Sequence, residues 1–132
     1  MKKALLAVLP VVVLSLAAVA AADWRQAGVT AKGDKVSVSS MKVTKAVRTA
    51  WVRVQFQQPV KLPQGGPFVE LRAKARFNCS AGAATTSEVW FYSRDRSGKV
   101  VVSKKASRDD QFGKDAEGGF GAIAQKYVCQ QK

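Results

Sequence analysis

The most regular stretch of the chain runs from Phe68 to Cys79. Val69, Leu71, Ala73, Ala75, Phe77 and Cys79 occupy every second position, with Glu70, Arg72, Lys74, Arg76 and Asn78 between them. Side chains alternate across a strand, so this run predicts a long strand with one apolar and one charged face. Thr49 to Gln57 repeats the pattern. Ala50, Val52, Val54 and Phe56 share one face, and Trp51, Arg53, Gln55 and Gln57 the other. Thr85 to Tyr92 is rich in β-branched and aromatic residues and reads as a third strand. The turn Arg94-Asp95-Arg96-Ser97-Gly98 and the run Lys99 to Ser103 complete a hairpin with it. Two weaker strands precede these, over Asp23 to Thr30 and Val36 to Ser39, separated by a Lys32-Gly33-Asp34-Lys35 turn. Residues 40–48 fit strand or loop equally.

Two segments break the alternation. Pro59 to Pro67 holds three prolines and two glycines in nine residues. Proline cannot donate to a ladder, so a long, mobile loop is expected there. Residues 104–117 are polar and read as loop, with Lys104, Lys105 and Arg108 balanced by Asp109 and Asp110. From Gly118 the period changes. Phe120, Ile123, Ala124, Tyr127 and Val128 fall at i, i+3, i+4, i+7 and i+8, one face of an α-helix ending near Cys129. The predicted fold class is α+β: a mainly antiparallel, five- to six-stranded sheet with one C-terminal helix.

The two cysteines fit that layout. Cys79 ends the apolar face of the best strand, and Cys129 ends the apolar face of the helix. A Cys79–Cys129 disulfide would staple helix to sheet and close a loop of 50 residues. The chain-entropy argument gives such a loop about 4 kcal/mol. There is no C-x-x-C and no His to make a reactive thiolate, so a structural bridge is the expected role.

Residues 1–22, MKKALLAVLPVVVLSLAAVAAA, have the form of a secretory signal peptide. A Lys2-Lys3 start leads into an apolar run, and Ala20-Ala21-Ala22 supplies a small-residue cleavage site. Cleavage would leave a domain of residues 23–132, in an oxidising compartment, with no membrane span. No cysteine stands at the end of the segment, so a lipid anchor of the lipobox type is not expected. The whole chain carries 22 basic and 9 acidic residues, a formal charge of +13. Without Lys2 and Lys3 it would carry +11, so the charge belongs to the domain and not to its leader.

The inventory of reactive groups is short. With no His, the Ser-His-Asp and Cys-His arrangements and the common zinc sites are absent. The glycines at 113, 118, 119 and 121 match no phosphate-binding motif. Neither enzymatic activity nor a cofactor nor a bound metal is expected. A basic chain suggests nucleic acid, but an exported one does not meet it as a physiological partner.

The sequence also resembles a known family. Trp24 opens the domain and Ala50-Trp51-Val52-Arg53 lies in a strand. Phe77-Asn78-Cys79 ends another, Trp90-Phe91-Tyr92 crosses a third, and Arg96 to Ser103 and Val128-Cys129 follow in order. This order resembles the surface-adhesin protein E-like family of exported proteobacterial proteins. The resemblance implies an antiparallel sheet with a disulfide-tethered C-terminal helix. It also implies a location in the periplasm or on the surface of a Gram-negative cell, a host-matrix partner, and a homodimer as one form.

The residues themselves suggest where a partner would bind. Arg72, Lys74 and Arg76 project from one side of their strand, opposite Cys79. Arg53 and Trp51 lie on the polar side of theirs. If the two strands are neighbours, these five residues form one basic face that would attract an anionic glycan or an acidic protein patch. The alternative is a periplasmic structural or interaction protein that pairs through an exposed sheet edge.

Overall fold

The computed structural model describes residues 23–44, 46–63, 65–106 and 119–131. The expected leader and the Arg108, Asp109 and Asp110 cluster lie outside the described residues. Six strands form a single sheet: β1 (Arg25–Val29), β2 (Lys35–Thr44), β3 (Val47–Leu62), β4 (Gly65–Asn78), β5 (Ala83–Arg94) and β6 (Val100–Ala106). Their order in space is their order in the chain, and every neighbouring pair is antiparallel. One helix, α1 (Phe120–Gln130), packs on one side of the sheet. The predicted antiparallel sheet with one C-terminal helix is the observed architecture, and the sheet has six strands.

The alternation assigns the faces. Val36, Val52, Val54, Leu71, Ala73, Phe77, Val89 and Phe91 are completely buried. They form the layer beneath α1, whose Ala124 and Val128 are also fully buried. Each large side chain removed from water here contributes about 1.5–3 kcal/mol. At the start of β4 the simple alternation fails. Phe68 is buried and packs against Phe91 with ring centroids 4.9 Å apart, while Val69 is only half-buried.

Eleven residues are too few for a helix to persist alone in water, and Gly119 gives α1 no side-chain N-cap. Tertiary anchors hold it instead. The expected Cys79–Cys129 disulfide is present. From β3, Arg48 donates through Nη1 to the carbonyls of Val128, at 2.6 Å, and Gln131. Those carbonyls lie at the C-terminal end of the helix, where a cation is favoured and α1 has no basic residue in its own last turn; the Val128 carbonyl also accepts from Gln131 N at 3.4 Å.

Two loop expectations are corrected. Pro59 to Pro67 is not an open loop: β3 runs on to Leu62, β4 begins at Gly65, and Val60 pairs with Phe68. The proline is tolerated because the register shifts between Gln55 and Val60, taking Pro59 out of the regular ladder. In addition, β2 pairs with β3 only as far as Gln55, and beyond the Gln57 N–H, which donates to Asp34 Oδ1 at 2.8 Å, no strand among the described residues pairs with that side of β3. Lys104 and Lys105 are not in a loop either. They belong to β6, beyond a register shift between Phe91 and Tyr92 that leaves Ser103 unopposed.

Candidate functional site

The side of the sheet away from α1 has no covering element among the described residues. Its side chains come from the polar positions of the alternating strands, and the register sorts them into rows. One row is Ser37, Arg53, Arg72, Trp90 and Lys105, crossing from β2 to β6. The next is Ser39, Trp51, Lys74 and Glu88. Beyond it lies Lys42, Thr49, Arg76 and Thr85. On the other flank come Lys35, Gln55, Glu70 and Tyr92. The five residues expected to form a basic face, Trp51, Arg53, Arg72, Lys74 and Arg76, do lie together on this surface.

They are not a simple stripe of cations, because aromatic rings are interleaved with them. Trp51 on β3 and Trp90 on β5 meet above the intervening β4, with centroids 5.1 Å apart and planes 30° from parallel. Lys74 Nζ lies 5.4 Å from the centre of Trp51, and Lys105 Nζ lies 5.1 Å from that of Trp90. Trp24, just before β1, reaches the same face. The guanidinium carbons of Arg53 and Arg72 lie 4.7 and 5.8 Å from its ring centre, and Arg72 also lies 5.0 Å from that of Tyr92. An indole attracts a cation through the electron density of its face, by about 0.5–1 kcal/mol where water has access.

Two carboxylates complete the network. Glu70 accepts from Arg72 Nε at 2.6 Å. Glu88 lies 3.0 Å from Lys105 Nζ and 3.6 Å from Lys74 Nζ. The hydrogen bond from Lys105 is the main reason the Glu88 carboxyl titrates below its ordinary 4.5, with the charges of Lys105 and Lys74 adding to it. Burial pulls the Arg53 guanidinium down from its ordinary value; Glu70 opposes that shift and Arg72 adds to it. Arg53 Nε is buried with no hydrogen-bond partner among the described residues. The four rows therefore carry seven cations, Lys35, Lys42, Arg53, Arg72, Lys74, Arg76 and Lys105, against two carboxylates, Glu70 and Glu88. Lys42 and Arg76, at one end, have no carboxylate within 4 Å among the described residues.

Alternation within single strands identified the charged sides of β3 and β4. It did not identify Trp24, Trp90, Tyr92 or Lys105 as their neighbours. The hairpin signal for β5 and β6 held the clue to Lys105, since it set those strands side by side. Nothing local ties Trp24 to Arg53. No cluster of three or more metal-ligating side chains occurs among the described residues, nor is any of their helices long and apolar enough to cross a membrane.

A six-stranded antiparallel meander with one side under a disulfide-bound helix, and the other an open array of cations and indoles, defines a compact class of α+β domain. The chain belongs to the surface-adhesin protein E family, whose model matches residues 24–130. That is a family of surface or exported proteins. No curated protein and no solved structure matches the chain.

Proposed function

We propose that this protein is an exported binding protein of the cell envelope or surface, not an enzyme, and that its open sheet face engages an anionic or host-matrix partner. The observation that carries this reading is the cation–indole array. Half-exposed rings and fixed guanidinium and ammonium groups offer both stacking area and charge, and the carboxylates leave a net positive face. Family membership supports a surface role, and the leader-like first 22 residues support export.

The test uses three exposed cations. Lys74→Glu, Arg76→Glu and Lys105→Glu are combined, and folding is checked by circular dichroism and thermal melting. The wild type is expected to bind immobilised basement-membrane extract in a salt-dependent manner, and the triple variant to lose most of that binding. Undiminished binding by the folded triple variant overturns the reading.

A second reading rests on β6. It is an edge strand, and its Val100 and Val102 are 39% and 51% exposed. An edge with free backbone groups and exposed apolar residues can pair with another strand, making the protein a periplasmic interaction subunit or a homodimer. Sedimentation of the wild type and of Val102→Pro at high concentration tests it. A wild type that remains monomeric at high concentration and also captures no envelope protein removes this reading.

A further inference from the structure

At one end of the open face the sheet surface is cut by a groove of about 700 Å³. The row Lys42, Thr49, Arg76 and Thr85 crosses it, with Trp51 and Lys74 along one wall. Resting on the open-face reading above and deepening it, we infer that this groove is a subsite for an anionic saccharide, a sugar chain bearing sulfate groups.

Three independent features point to that chemistry. The first is the mixture of side chains. Sugar rings have apolar faces that stack on indole, hydroxyls that exchange hydrogen bonds with Ser and Thr, and, in sulfated chains, anions that pair with Lys and Arg. Trp51, Thr49 and Thr85, and Lys42, Lys74 and Arg76 supply one set for each.

The second is the charge balance. Two cations further along the face are engaged by carboxylates, Arg72 by Glu70 and Lys105 by Glu88, which Lys74 shares. Lys42 and Arg76 are exposed and have no carboxylate within 4 Å among the described residues. They stand two strands apart in one row, about 9.5 Å by the usual strand spacing, and so can hold two anions of one chain.

The third is the backbone. Register shifts flank the groove on both sides, between Ser39 and Lys42 in β2 and opposite Lys74/Ala75 in β5. Ser40 stands in the left-handed region at φ 54°, and both Ser40 and Ser87 line the groove. Bulges re-aim side chains where a regular ladder would leave a flat surface, and a non-glycine residue held at positive φ is a conformation that binding sites often contain.

The probe is a heparin octasaccharide, measured by calorimetry, with inorganic polyphosphate of similar charge as control. Lys42→Glu and Arg76→Glu change exposed residues, and Lys105→Glu reverses a cation on the same face outside the groove. Each groove variant is expected to weaken octasaccharide binding by about tenfold or more, and Lys105→Glu, which belongs to the open face but not to the groove, by several-fold less than either. Trp51→Phe, which keeps a ring at the wall, is expected to bind more tightly than Trp51→Ala. Equal losses from all three reversals overturn the groove and leave the open-face reading standing. Equal affinity for polyphosphate shows that charge alone is read, and overturns the saccharide. Binding to matrix extract without binding to the octasaccharide also overturns the saccharide alone. Loss of neither ligand in any variant overturns both readings.

Discussion

Arg48 shows how much one side chain can hold. It lies 80 residues before Val128, whose carbonyl it meets, and it supplies the positive charge missing from the last turn of α1. Arg48→Met removes the donor and leaves both carbonyls without it, so a loss of about 1–3 kcal/mol is expected. Urea denaturation of the oxidised protein checks it. Glu88 gives a prediction with a definite sign. Its folded pKa lies below the ordinary 4.5, so its stabilising effect is complete above that value and is lost as the pH falls through the folded pKa. The wild type should exceed Glu88→Gln in urea midpoint at neutral pH, and the difference should close in the acidic range. A difference that persists in acid would show that the Lys105 and Lys74 contacts are not its source.

At the scale of elements, the long alternations were readable because a period of two is a local property. Ten positions of β4 are enough to assign both faces. Interruptions of the ladder are not local in this sense. The hairpin around Pro59 was missed because whether a proline is tolerated depends on which side of β3 lacks a partner, and only the whole sheet decides that. Likewise, the shift that leaves Ser103 unopposed carries Lys105 to Trp90 without a mark in the sequence. The seam between α1 and β1 is testable. A Cβ on Gly28 would lie 2.8 Å from Ile123 Cγ2. Gly28→Ala should therefore cost about 1–3 kcal/mol, and Ile123→Ala in the same chain should cost less than it does alone, because the two changes share one space. The disulfide offers a larger effect. Replacing both Cys79 and Cys129 by Ser should lower stability by up to about 4 kcal/mol, and amide exchange in α1 should rise more than in β3 and β4. Equal exchange throughout would mean that helix and sheet open together.

For the whole molecule, the basic character of the candidate site was legible from Arg72, Lys74 and Arg76, and its aromatic character was not. Three tryptophans come from three separate parts of the chain, and nothing in the sequence near Trp24 or Trp90 tells that both reach the face of Trp51 and Arg53. The carboxylates were visible, but their pairing depended on strands being neighbours. This composition predicts that binding to any polyanion weakens steadily with added salt, while a remainder persists from stacking. Titration of the affinity against salt concentration, with Trp90→Ala beside the wild type, separates the two. The variant should lose the remainder and keep the slope.

The spatial order of the strands follows the chain without a crossover. Each strand therefore finds its partner a short distance away in sequence, and the entropy lost in closing each hairpin is small. Sheet proteins usually fold slowly because their pairings are remote, but among the described elements the contacts most remote in sequence are those of α1 with the sheet. The helix touches β1 to β5 and can dock only on strands already assembled. The chain should thus fold faster than sandwich proteins of its length, and the thiol of Cys129 should be the last group to become protected.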